Sequence, residues 1–369
     1  AGIQLFIKSG LQSIGLYNDP LKLFSVSNDI VSGRAMFMNI MAASFGLRPA
    51  NGCNWDPAAR VFIDNDGIKM YSLTYQFEQC YDEFIGSCLR QLLGKGNSIQ
   101  DILATEDGQR LLETAFAAVY EGALTDGDIM AWIARHPLIA TAYNNGVSGM
   151  DADEFDRFYA QNGTNRVPEG WLAQIDNARI SGIPNLNGHI NPIDVHGNDF
   201  VGDGIAVLNN LKSNATSKLR VAISKNPADG VYFVSRTLFE RIKVQLGDSC
   251  CSDELIKAKL LGDNANIGWT REHIMYNGLY VVPVDAWDVL NEATATNGVR
   301  ALLTVKGNLG AAFDVSKTTG GSPDIAFEAE QRLGPGDGFM GKVYGHANYE
   351  LGIGILNRDY LSYASYVSA

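Results

Sequence analysis

Two apolar runs decide how this chain is read: Asn277-Gly278-Leu279-Tyr280-Val281-Val282-Pro283-Val284-Asp285 and Val299-Arg300-Ala301-Leu302-Leu303-Thr304-Val305-Lys306-Gly307-Asn308-Leu309. Each is rich in β-branched and apolar residues and is bounded by turn formers, the pattern of a buried strand. The interval between them is long enough for a short helix or a loop. Neither run offers a nucleophile, a set of metal ligands or a phosphate cradle. The question becomes what these surfaces pack against.

Working outward on the C-terminal side, Gly341-Lys342-Val343-Tyr344-Gly345-His346 and Tyr349 to Leu356 read as strands, and Tyr360, Tyr363 and Tyr366 close the chain. On the N-terminal side, Leu219-Arg220-Val221-Ala222-Ile223 reads as an apolar strand and Tyr232-Phe233-Val234 as another. Arg236 to Leu246 carries Leu238, Ile242 and Leu246 at helical spacing. From Leu138 to Asn214 glycine, asparagine, aspartate and proline are dense, with short helices expected near 151–160, 168–178 and 204–211.

Further toward the N-terminus, Val61-Phe62-Ile63 runs into Asp64-Asn65-Asp66-Gly67, which has the chemistry of a hairpin turn. The expected return strand alternates Tyr71, Leu73, Tyr75 and Phe77 with polar residues. A helix is then expected from Phe77 through Cys80, Cys88 and Leu93, a second from Thr105, and a third opening at Thr125 and stopping at Pro137. Residues 1–46 show no sustained period and read as an extended arm.

Composition sets limits. The 369 residues are 46% hydrophobic, enough for a sizeable core, and 41 acidic against 29 basic residues give a net charge of −12. Such a surface repels a phosphate backbone, so sequence-wide nucleic-acid binding is not expected. Five cysteines (Cys53, Cys80, Cys88, Cys250, Cys251) contain no Cys-x-x-Cys spacing and point away from a disulfide framework or structural zinc. No apolar run of about 18 residues exists, so no membrane span is expected, and Ala1 to Gly10 does not read as a signal peptide.

Candidate chemistry is thin. Gly336-Asp337-Gly338-Phe339-Met340-Gly341 spells a dinucleotide-binding fingerprint, but it follows Pro335 instead of a strand, so a glycine-rich surface loop is expected. His189, Asp194, His196, Asp199 and Asp203 have ligand chemistry for a divalent cation at spacings that equally suit turns. Asp248 and Asp253 flank Cys250-Cys251 and would raise a thiol pKa. Cys80 and Cys88 read as small buried hydrophobes. Asp151, Asp153 and Asp156 imitate a calcium loop, but Asp156 stands where the turn glycine belongs and Asn162 where a bidentate glutamate belongs. No catalytic, cofactor-binding or metal residue is assigned, and no enzyme activity or cofactor is expected.

Three short motifs carry a resemblance. They are Phe233-Val234-Ser235-Arg236-Thr237-Leu238-Phe239-Glu240, Gly278-Leu279-Tyr280-Val281-Val282-Pro283, and Thr304 with Asn308-Leu309 and Asp314. Together with the order of elements, they resemble the major capsid proteins of tailed bacteriophages, the Hong Kong phage type of fold, best over 204–316. That resemblance implies an α+β fold with an N-terminal arm (1–46), an extended loop hairpin (47–77), a peripheral spine-helix domain (78–214 and 317–369) and an axial domain (215–316). It implies a structural subunit that self-assembles as hexamers and pentamers into an icosahedral head around double-stranded DNA, without sequence-specific DNA contact. Portal and decoration or scaffolding proteins would be partners, no membrane would be involved, and assembly would take place in the host cytoplasm. In some relatives a loop lysine bonds covalently to a neighbour's asparagine; Lys69 lies in the corresponding hairpin, and non-covalent locking is expected here. The alternatives are a nanocompartment shell protein of the same fold and a soluble metal-dependent hydrolase using residues 189–203.

Overall fold

A computed structural model of the chain describes residues 21–27, 30–31, 34–42, 61–80, 127–159, 167–180, 192–193, 204–249, 273–314, 324–333 and 339–368. In chain order the elements are β1 (Phe24–Ser27), β2 (Ile30–Val31), β3 (Arg34–Ala42), β4 (Val61–Lys69), β5 (Tyr71–Cys80), α1 (Pro137–Asn144), α2 (Ala152–Tyr159), α3 (Trp171–Ile180) and β6 (Pro192–Ile193). They continue with α4 (Gly204–Ser213), α5 (Ser217–Lys225), β7 (Gly230–Val234), α6 (Arg236–Ser249), β8 (Ile274–Tyr276), β9 (Leu279–Pro283), α7 (Ala286–Thr294), β10 (Asn297–Val305), β11 (Leu309–Asp314), β12 (Asp324–Leu333), β13 (Phe339–Ile355) and β14 (Leu361–Ser368). The fold is α+β.

A six-stranded sheet in the order β6-β14-β10-β7-β9-β8 lies at its centre. Successive side chains on a strand point to opposite faces, and here both faces are covered. Val231 and Phe233 of β7, Val282 of β9 and Leu302 of β10 join one apolar cluster. Their neighbours Tyr232, Val234, Val281, Ala301 and Leu303 join a second. The second cluster is closed by α4, α5 and α6 through Leu208, Leu211, Leu219, Ile223, Leu238 and Ile242. The first is closed by α3, α7 and a helical run at 127–133, whose Trp132 meets Trp171 at 5.0 Å, Phe233 at 5.1 Å and Trp287 at 5.4 Å, all edge-on. Phe24 of β1 stacks on Trp171 at 5.0 Å, so the N-terminal strand is part of the core.

The opening pair of apolar runs forms β9 and β10 with α7 between them. Asn277 (φ 50°) and Gly278 (φ 81°) supply the two positive-φ residues of the tight turn that pairs Tyr276 with Leu279. The second run is divided: β10 ends at Val305, and Leu309 begins β11 in a different sheet. That sheet has five strands in the order β1-β11-β13-β12, with β5 also on β13. Because Glu350 and Leu351 pair with both β11 and β5, those two strands occupy opposite edges of β13.

Several expectations are corrected. The segment 219–223 is helix, not strand: the Thr216 hydroxyl accepts from Leu219 N at 3.1 Å as an N-cap, and Leu219 and Ile223, four apart, are buried while Val221 is exposed. Asp64 to Gly67 is not a turn but the middle of β4, and β4 and β5 do not pair with each other. The hairpin is instead β3 with β4, so Arg34–Ala42, expected to lie in an irregular arm, is a nine-residue strand. The helix expected from Phe77 does not begin there, because β5 continues through Cys80. Pro137 does not merely end a helix; as the first residue of α1 it starts one, where its missing N–H costs nothing. The two strands expected within 341–356 are one strand of 17 residues. The helices expected from Cys88 to Leu93 and from Thr105 lie outside the described residues.

Candidate assembly surfaces

The third sheet, β2-β3-β4, belongs to neither of the other two. Its body is a ribbon in which β3 and β4 pair from Arg34↔Lys69 to Ala42↔Val61, while β2 touches only the base through Ile30↔Ala35 and Val31↔Arg34. At roughly 3.4 Å per residue the ribbon is about 30 Å long. Among the described residues no strand pairs with the outer edge of β4, nor with β3 beyond Ala35. A two-stranded ribbon exposes unpaired backbone on both edges and is marginal by itself.

The root of this ribbon is seated with care. Met70 alone separates β4 from β5, so the chain leaves the ribbon directly into the five-stranded sheet. On the inner face of that sheet Leu309, Ala311, Leu351 and Ile353 enter the first apolar cluster. The opposite face is floored by Gly310, Ala312, Gly352 and Gly354, paired as Gly310↔Gly354 and Ala312↔Gly352. Onto this floor come Ile68 and Met70, which pack with Ala312 and Leu356. A Cβ added to Gly354 would stand 2.7 Å from Ile68 Cδ1, and one added to Gly352 would stand 2.6 Å from Met70 Sδ and 3.1 Å from the Lys69 carbonyl oxygen. The small residues therefore permit the close approach of the ribbon. From the other side Trp171 Nε1 donates to Gly354 O at 3.0 Å, and Gln174 Nε2 donates to Ile353 O at 3.2 Å, fixing the floor from beneath. Lys69 closes β4 beside Tyr71, its Nζ 4.8 Å from the ring centroid.

A second construction joins the two large sheets. Two short connections run between them, from β10 to β11 and from β13 to β14, and buried Asn308 ties these two together. Its Nδ2 donates to Thr304 Oγ1 at 3.0 Å and its Oδ1 accepts from Asn357 N at 2.8 Å. Thr304 Oγ1 in turn donates to Tyr360 O at 2.8 Å. The Thr304, Asn308 and Leu309 of the third sequence motif are thus a structural pin.

Where β7 and β9 end, the first turns of α6 and α7 meet. Arg236 holds Asp285 with two bonds, Nε to Oδ1 at 2.8 Å and Nη2 to Oδ2 at 3.1 Å. Burial raises the Asp288 carboxyl above its usual range, and the Asp285 charge adds to that, against the opposing pull of Arg236 and Arg300. Arg300 is fully buried; its Nη1 donates to Asn291 Oδ1 at 2.7 Å. On the far side of the core, Leu138 N donates to His136 Nδ1 at 3.3 Å, leaving Nε2 to meet Asp176 Oδ2 at 2.9 Å. Arg236 with Asp285 and His136 with Asp176 hold helix ends together, whereas Arg300 Nε and Nη2 are buried with no hydrogen-bond partner among the described residues.

Of the chemistry candidates, Phe339 to Gly341 begin β13 and pair back onto β12, so the glycine motif is not a strand-to-helix turn; 334–338 lie outside the described residues. Asp153 and Asp156 are on helix α2, not in a calcium loop. His189, Asp194, His196, Asp199, Asp203, Cys53, Cys88, Cys250, Cys251 and Asp253 lie outside the described residues. Among the described residues no group of three or more His, Cys, Asp or Glu could hold a metal ion, and no helix is long and apolar enough to cross a membrane.

No family model matches the chain, and no curated protein matches it. Solved structures do resemble it. The satellite phage P4 procapsid including size determination protein matches at TM-score 0.48 and 11% identity, covering 97% of this chain and 98% of that one. The capsid of Ralstonia phage GP4 matches at 0.49 and 11%, covering 94% and 87%, and Mycobacterium phage Ogopogo at 0.45 and 10%, covering 94% and 91%. At such scores and identities these likenesses carry no weight of their own.

Proposed function

We propose that this chain is a structural capsid subunit of the tailed-phage type, which self-assembles into an icosahedral head enclosing double-stranded DNA. The observation that carries the reading is the β3–β4 ribbon, a nine-residue pairing seated at its root on a glycine floor and, among the described residues, paired as a strand with neither body sheet. A ribbon of that kind is stabilised when another molecule covers its edges and faces. Many copies then repeat one contact, and closed symmetry turns modest contacts into a stable particle. The three sequence motifs support the same reading, since they fall on the β7–α6 junction, on β9, and on the pin between sheets.

In this reading the chain divides into an arm (1–46), an extended loop (47–77) that includes β4 of the ribbon, a peripheral domain (78–214 and 317–369) and an axial domain (215–316). Subunits group as hexamers and pentamers and lock without covalent bonds. A portal and scaffolding or decoration proteins complete the head, which forms in the host cytoplasm. The subunit has no catalytic role. The net charge of −12 keeps the wall from gripping its DNA.

Sedimentation velocity and negative-stain microscopy of the purified full chain, with nucleic-acid content read from absorbance, test the proposal. Hollow closed particles are expected. Particles formed in the phage host that enclose an enzyme instead of DNA would identify a nanocompartment, and a monomer at every concentration would refute a shell.

A further inference from the structure

Residues 204–228 contain Lys212, Lys218, Arg220 and Lys225 and no acidic residue, in a chain whose remainder holds 25 basic against 41 acidic residues. Most of this charge is displayed by α5. Its buried face is Leu219 and Ile223, so Lys218, Val221 and Lys225, at spacings of three and four, form the outward stripe, with Arg220 beside it. Val221 at the centre is 53% exposed. Lys218 is paired with Asp359, while Arg220 and Lys225 have no ion pair among the described residues.

We infer that the α5 face is a contact surface for a second copy of this chain and that it receives the acidic helix α2. The inference rests on the shell reading above. α2 and the residue before it carry Asp151, Asp153, Glu154 and Asp156 within six positions, and Asp151 and Asp156 are exposed. The two helices cannot meet within one molecule. Phe155 and Phe158 of α2 pack in the cluster on one face of the six-stranded sheet, whereas Leu219 and Ile223 of α5 pack in the cluster on the other. Complementary patches on different faces of one subunit make a heterologous contact, the kind that closes rings. The exposed valine decides for protein over DNA: an apolar centre with a charged rim suits a protein interface, and contributes nothing to a phosphate backbone. Charge complementarity at such a site sets orientation and suppresses wrong pairings.

The test compares the full chain with Arg220→Glu/Lys225→Glu and with that pair combined with Asp153→Lys/Asp156→Lys. Neither Arg220 nor Lys225 supports the fold through an ion pair among the described residues, and circular dichroism checks that each variant folds. The inference predicts that the double variant needs at least about tenfold more protein to assemble at low salt and that the fourfold variant recovers. Unchanged assembly of the double variant, or loss without recovery, overturns the α5–α2 contact while leaving the shell intact. Normal assembly with reduced DNA content would overturn it in favour of a DNA contact. Failure of the unmodified chain to form particles would remove the shell reading itself.

Discussion

Gly352→Val probes the seat of the ribbon directly. Even the first added carbon stands 2.6 Å from Met70 Sδ and 3.1 Å from both Ile68 Cγ2 and the Lys69 carbonyl oxygen. Unstrained contacts lie at about 3.5–4.0 Å. The methionine sulfur can swing aside, but the Lys69 carbonyl is backbone, and valine's two methyl groups press further into the root. A lift of about 1 Å is needed, and overpacking of this kind costs about 1–3 kcal/mol. Ile68 to Met70 spans roughly 7 Å and the ribbon about 30 Å, so a 1 Å lift at one end of the seat swings the tip by about 4 Å. That exceeds what a packed interface tolerates. The first apolar cluster lies on the opposite face of the sheet and keeps its tryptophans. The expected result is a chain with unaltered tryptophan fluorescence and circular dichroism whose assembly, followed by light scattering, is abolished or slowed severely. Gly127→Ala, where nothing lies within 4 Å, is the control and assembles normally. Wild-type assembly kinetics for Gly352→Val would refute the coupling of glycine floor to ribbon.

Other perturbations test the body. Asn308→Ala removes the acceptor of the half-buried Asn357 N–H and the donor to Thr304 Oγ1, which keeps its own bond to Tyr360 O, a loss of about 1–3 kcal/mol that urea denaturation of the unassembled chain reads as a lower midpoint. Asp288 has a raised folded-state pKa, so the native state holds its proton more tightly than the unfolded chain, and stability falls as pH rises from the unfolded value through the folded one. Asp288→Asn therefore raises the thermal midpoint at neutral pH relative to the parent, and the advantage disappears in acid below the unfolded carboxylate pKa. An equal effect at both pH values would show that charge is not the cause.

The sequence was most legible where local pattern and tertiary structure agree. Leu238 and Ile242 at helical spacing after the Tyr232-Phe233-Val234 strand foretold the β7–α6 junction, and the apolar runs around 279–283 and 299–305 became β9 and β10. It failed where distant partners decide. Asp64-Asn65-Asp66-Gly67 has turn chemistry, yet pairing with Met36 to Asn39 holds it extended, and nothing local announces that partner. At 219–223 the branched residues suggested a strand, while the Thr216 cap and the four-residue spacing of Leu219 and Ile223 prevailed. The parallel pairing of β1 with β11 joins residues near 25 to residues near 310 and has no local signal. The glycine floor was written in Leu351-Gly352-Ile353-Gly354-Ile355, an alternation of large and absent side chains whose meaning needed the ribbon above it.

The measurement that bears most directly on the whole account is sedimentation velocity of the full chain beside a variant in which residues 36–67 are replaced by a short glycine-serine linker. The replacement keeps both large sheets and the helices that close the two clusters, so the variant is expected to fold. Large closed particles from the full chain and only small species from the variant are the predicted outcome. Particles of equal size and yield from both would contradict the claim that the ribbon finds its partner on a sibling subunit.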